Sequence, residues 1–125
     1  MADATDELWT RSLVTVYDGK IEDFTDFIGD LLSTIREKDS DTLNYSVFLD
    51  RARSEAIILE HYSDSTGWEI HTGNLSGLLP RFPELCKFAA IEVYGNPTPQ
   101  ARHALDAAFE GVGVSATYYP TLAAL

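Results

Sequence analysis

The sequence predicts a single α+β domain, and three observations carry that prediction. Apolar residues alternate in short β-branched runs, they recur at helical spacing between those runs, and the runs follow one another in the order βαββαβ. A chain of 125 residues with 45% hydrophobic content is large enough to bury one core without covalent staples.

The first strand is read at Leu13-Val-Thr-Val-Tyr17 and ends at Asp18-Gly19. Ile21, Phe24, Phe27, Ile28, Leu31, Leu32 and Ile35 then fall on one helical face, with Glu22, Asp23, Asp26 and Asp30 opposite, which predicts an amphipathic helix starting near Asp18. Lys38-Asp-Ser-Asp41 breaks the pattern, and Leu43, Tyr45, Val47 and Leu49 alternate with Asn44, Ser46 and Phe48 in a second strand. A polar connection from Asp50 to Ser54 leads into a third strand, Glu55 to Tyr62, forming a hairpin. Residues 56 to 59 are apolar on both sides of the pleat, so this strand is expected to be buried on both faces.

Ser63-Asp64-Ser65 offers an N-cap for a second helix that carries Trp68 and His71 and weakens at Gly73-Asn74. Leu75 to Pro83 reads as irregular or as a further short helix, and Phe88 to Tyr94 is a fourth strand closed by Gly95-Asn96-Pro97. Gln100 to Phe109 is a third, Ala-rich helix, and Val114 to Tyr119 is a final extended piece. The simplest arrangement is a ferredoxin-like βαββαβ layer of four antiparallel strands under two helices, with a C-terminal helix and an extended arm. Strands three and four are apolar on both faces, so the uncovered sheet face is expected to leave water by pairing with a second copy of the chain.

The net charge of −11 opposes binding to nucleic acid or to anionic lipid, and neither is expected as a partner. The single cysteine, Cys86, excludes an intramolecular disulfide and any cysteine-cluster metal site. The acidic Met1 to Glu7 stretch lacks the basic and apolar parts of a signal peptide, and no apolar run reaches membrane-spanning length, so a cytoplasmic location is expected.

Functional side chains converge where the third strand meets the second helix. Leu59-Glu60-His61-Tyr62-Ser63-Asp64-Ser65, with His71 eleven residues after Glu60, resembles the Glu-x-Tyr-x-Asp and helical-His pattern of the antibiotic biosynthesis monooxygenase-like domains, in the dimeric α+β-barrel superfamily. Thr42 to Phe48 is similar to that family's Tyr-bearing second strand, and Ile91 to Pro97 with Tyr118-Tyr119-Pro120-Thr121-Leu122 resembles one branch of it. Two positions depart from the pattern: Gly67 stands where Ala is usual, and Asp41 stands where a Gly is common. The resemblance implies a homodimeric α+β barrel with a pocket in each subunit for a small aromatic or apolar ligand. It also implies oxidation of a quinol or polycyclic phenol by O₂ with no metal, flavin or other cofactor.

Such chemistry needs a base, hydrogen-bond donors and an apolar enclosure. His71 is the candidate base, because imidazole exchanges protons near neutral pH. Trp68, three residues earlier on the same helix face, is a candidate wall and indole donor, and Asn44 a candidate donor to an oxyanion if its strand face looks into the pocket. Tyr45, Tyr62 and Glu60 are candidate substrate contacts, Glu60 as an orienting group or an ion-pair partner of one of the scattered arginines. His61, His71 and His103 show no metal-ligand spacing, and no Gly-rich nucleotide motif is present, so no metal and no nucleotide cofactor are expected. Haem degradation is disfavoured because the first strand lacks an Asn and position 61 is His. The alternative to an oxygenase is a nonenzymatic, small-ligand-binding or stress-linked dimer of the same fold.

Overall fold

A computed structural model describes residues 6–125, and residues 1–5 of the acidic N-terminal stretch lie outside the described part. The elements are β1 (Leu8–Val16), α1 (Ile21–Lys38), β2 (Thr42–Asp50), β3 (Glu55–Tyr62), α2 (Ser65–Asn74), α3 (Phe82–Leu85), β4 (Cys86–Gly95), α4 (Pro99–Gly111) and β5 (Ala116–Tyr119). A 3-10 turn at Leu79–Arg81 leads into α3, so the stretch from Leu75 to Pro83 is mostly short helical turns. No described helix is long and apolar enough to cross a membrane.

The sheet order is β2-β3-β1-β4-β5. The first four strands pair antiparallel in the ferredoxin-like order, and β5 adds itself parallel to β4. The C-terminal arm is therefore a sheet edge, reached by the crossover helix that a parallel pair requires. β1 starts five residues earlier than the alternation at Leu13 suggests, because Leu8, Thr10, Ser12, Val14 and Val16 all face inward and two of those five carry hydroxyls.

Helix α1 forms as its periodicity dictates, with Glu22 and Asp23 in the first turn and Arg36 and Lys38 in the last, both favourable to the helix dipole. Phe24, Phe27, Ile28, Leu31 and Ile35 bury against Val14, Val16, Ala56 and Ile58 of the sheet. A second cluster joins Leu8, Tyr62 and Val93 to Trp68 of α2 and Leu105 of α4. All of these strand residues lie on one sheet face, so the helices cover that face alone. Gly95 ends β4 at φ 120°, and a Cβ there would meet Glu7 O at 2.5 Å, which explains the glycine.

The other face keeps Trp9 and Phe48 exposed at 37% and 59%, while Leu13, Ile57 and Leu59 are half-buried. β3 is thus fully buried only toward the helices, where Ala56 and Ile58 are each 1% exposed. Trp9 lies flat on His61 of the neighbouring strand, with ring centres 3.4 Å apart.

Candidate active site

The third strand delivers Glu60 and Tyr62 to the helical face, and α2 brings His71 down onto them. Asp64 caps α2 by accepting a hydrogen bond from Gly67 N–H at 2.8 Å, so the helix starts where the sequence places it. From that start Trp68 and His71 both point inward and are buried. His71 Nδ1 lies 2.7 Å from Asp39 Oδ2, and its Nε2 lies 3.5 Å from Glu60 Oε1. The side chains of Asp39, His71 and Glu60 are 3%, 6% and 15% exposed. Tyr62, fully buried, donates its hydroxyl to Glu60.

Asp39 closes the end of α1 and ties three elements together. It accepts from Thr42 Oγ1 at 2.7 Å and Asn74 Nδ2 at 2.7 Å, as well as facing His71. Burial pushes its carboxyl up, but the hydrogen bonds from Asn74, Thr42 and His71 outweigh that and hold it below the usual carboxylate value of 3.8. An ionised Asp39 only accepts, so His71 donates Nδ1–H to it and Nε2 is left facing Glu60 and the cavity.

That cavity has a volume of about 220 Å³ between the sheet and the helices. Its floor is Thr10, Ser12, Tyr45, Ile58 and Glu60, and α2 lays Trp68 and His71 over it. Phe82, Phe88 and Phe109 supply the aromatic part of the remaining apolar wall. Burial, and then the Glu60 charge, push the phenols of Tyr45 and Tyr62 well above the usual tyrosine range. Both stay protonated, and they are donors rather than bases.

His71, Trp68, Glu60 and Tyr45 therefore meet at one cavity, with Tyr62 behind Glu60 in the adjoining apolar cluster. Asn44 does not reach it. Asn44 pairs with His61 and Tyr45 with Glu60, and neighbouring strand residues point to opposite faces, so Asn44 lies on the uncovered side, where Ser46 Oγ donates to its Oδ1 at 3.0 Å. The partner of Glu60 is no arginine but Tyr62 and His71. Arg11, Arg51, Arg53 and Arg81 pair with Glu92, Glu22, Glu55 and Asp30, and Arg102 stacks over Tyr118.

Asp39 was not a candidate from sequence. Its readable signal is an acidic residue closing a helix C-terminus, where the dipole disfavours negative charge. Among the described residues no group of three or more His, Cys, Asp or Glu side chains is arranged to hold a metal ion. Cys86 donates weakly to Phe82 O at 3.6 Å, and burial pushes its thiol up to about 12, which leaves it inert.

The two departures from the family pattern touch each other. A Cβ on Gly67 would lie 3.0 Å from Asp41 Cβ and 3.2 Å from Asp41 O, so the side chain at 41 takes the space that an alanine at 67 needs. Gly67→Ala alone is expected to destabilise the protein by about 1–2 kcal/mol through overpacking. Asp41→Gly in the same chain removes the Cβ at 3.0 Å and leaves the carbonyl oxygen at 3.2 Å, so it should restore part of that loss. A double-mutant cycle by urea denaturation checks it, with a coupling of about 1 kcal/mol expected and additivity contradicting the contact.

The fold is that of the antibiotic biosynthesis monooxygenase-like domains. MupZ from Pseudomonas fluorescens superposes with a TM-score of 0.75 at 16% identity, covering 95% of this chain and 93% of MupZ. A "putative antibiotic biosynthesis monooxygenase" from Caulobacter crescentus follows at TM-score 0.66 and 15% identity, over 75% of this chain and 92% of that one. A protein of the same description from Bacteroides thetaiotaomicron gives 0.62 at 14% identity, over 78% and 92%. Identities this low establish the fold alone. No protein-family model matches the chain, and no curated protein matches it.

Proposed function

We propose that the cavity is the active site of a cofactor-independent monooxygenase acting on a quinol or phenol. The observation that carries this reading is the Asp39–His71 pair: an ionised carboxylate fixes the imidazole tautomer at 2.7 Å and presents Nε2 to a mainly apolar cavity. His71 takes the acidic proton of the substrate, and Asp39 and Glu60 flank the imidazolium that results. The substrate anion then reduces O₂. One oxygen atom becomes a carbonyl on a ring carbon that bore hydrogen, and the other leaves as water with that hydrogen and the proton of the substrate's phenol, so the product is a quinone. Tyr45 donates to the anionic intermediates, and Trp68 walls the site.

The structural neighbours described as monooxygenases support the class of reaction, since their fold is shared. We further propose a homodimer formed through the uncovered sheet face. Its apolar strip of Trp9, Leu13, Phe48, Ile57 and Leu59 is the kind of surface that a soluble monomer rarely exposes. Sedimentation equilibrium should give twice the chain mass of 13.9 kDa, and a monomer at micromolar concentration would refute it.

Oxygen uptake in the presence of chelator, over quinols and phenols of one to three rings, tests the activity. Saturable uptake above autoxidation is expected. Its absence with every compound, while the same compounds still bind, would favour a ligand-binding dimer without catalysis.

A further inference from the structure

We infer that the same cavity has a second activity that consumes no oxygen: it moves a proton between two carbons of an unsaturated cyclic ketone, with Glu60 as the second proton carrier. The inference rests on His71 as the base of the site above, and it takes up a group that the oxygenation uses only as a charge. Asp39, His71 and Glu60 form a row of carboxylate, imidazole and carboxylate, with His71 Nδ1 2.7 Å from Asp39 Oδ2 and Nε2 3.5 Å from Glu60 Oε1. With Nδ1–H donated to Asp39, lone pairs on Nε2 and Oε1 face each other across the second gap. A proton on either atom turns that gap into a hydrogen bond, so a proton arriving at Nε2 finds another acceptor beside it. Both side chains line the cavity. Glu60 is 15% exposed; its Oε1 accepts from Tyr62, and its Oε2 has no hydrogen-bond partner among the described residues.

Tyr45 supplies the third group. It stands opposite Glu60 in the sheet register and lines the cavity, and its hydroxyl has no hydrogen-bond partner among the described residues. That hydroxyl is a donor for the oxygen of an enolate. The reaction takes two transfers. The C–H bond at the α carbon breaks, its proton goes to His71 Nε2, and its electron pair moves to the carbonyl oxygen, where Tyr45 donates. The proton crosses to Glu60 Oε1, and from Glu60 it forms a C–H bond at the γ carbon while the double bond shifts into conjugation. Both residues end as they began, and nothing is oxidised or reduced. The α and γ carbons flank one ring carbon, and two carriers side by side span them.

Cyclohex-3-enone and its fused bicyclic homologue serve as probes under argon, the conjugated product being read by its ultraviolet absorbance. Wild type is expected to isomerise at least one of them ~100-fold faster than free imidazole at the same concentration. Glu60→Gln should lower that rate at least ~10-fold, and Glu60→Asp should retain more of it than Glu60→Gln. Deuterium at the α carbon next to the double bond gives a reading that a merely structural glutamate would not move. Because His71 and Glu60 are 6% and 15% exposed, wild type should carry part of the label to the γ carbon, and the residual product of Glu60→Gln should hold less. A γ hydrogen drawn wholly from solvent in wild type, or the same rate and label in Glu60→Gln, would overturn Glu60 as the carrier. No isomerisation by wild type, whether or not the ketones bind, would overturn the activity. Oxygen uptake on quinols by the same preparation separates the two readings: uptake without isomerisation removes this inference alone, and the absence of both removes both.

Discussion

Asp39→Asn should lower oxygen uptake at least ~100-fold, within the range known for replacing a histidine-orienting aspartate by its amide. The amide offers donors where Asp39 now only accepts. It competes for Asn74 and Thr42 and no longer fixes Nδ1–H of His71. The tautomer with Nε2 free then becomes one of two, and the positive charge formed on proton uptake loses its nearest counterion.

Asp39→Ala should also unfold more easily, since it leaves buried donors unmet at about 1–3 kcal/mol each. The pH dependence follows from the same carboxyl. Its folded-state pKa is depressed, so it stabilises the fold above the ordinary value of 3.8, and that contribution is lost as pH falls through the lower folded value. Denaturation titrations at pH 7 and pH 3 should show the gap between wild type and Asp39→Asn shrinking at the lower pH. An unchanged gap would remove Asp39 from the linkage.

Phe82→Ala is expected to cost about 3–5 kcal/mol and to widen the cavity. Phe82 is 5% exposed and meets Phe27 edge-on at 4.8 Å and Phe88 at 5.4 Å between ring centres, so its removal strips contacts from both the core and the cavity wall. Phe27, on the core side, is buried in the α1 face of the core and is not free to fill the gap. The variant should still fold at low temperature, and it should bind a three-ring phenol better than wild type does. Urea denaturation and calorimetry read the two effects. A loss under about 1 kcal/mol would mean that the wall collapses and the cavity is not rigid.

The elements were legible wherever one periodicity ruled a segment. The seven apolar positions of α1 and the two-sided apolar run of β3 placed both elements within a few residues. β1 was legible only from Leu13 onward, because Thr10 and Ser12 put hydroxyls where the pattern wants apolar side chains. That break in the pattern marked the cavity. His71 and Trp68 were legible through their spacing on α2, whereas Asp39 lies thirty-two residues from His71, a separation that carries no periodic signal. Asn44 and Tyr45 could not both face one cavity, and the alternation that put Tyr45 inside already put Asn44 outside. Gly67 and Asp41, read separately as departures, proved to be neighbours, since a Cβ at 67 would meet Asp41, and only the folded chain brings them together.

The central claim is that His71 is the base of a metal-free oxygenation. Oxygen uptake on the best phenol, in chelator, should fall at least ~100-fold in His71→Ala and recover in part when free imidazole fills the space that the side chain left. Equal uptake by wild type and His71→Ala would contradict it.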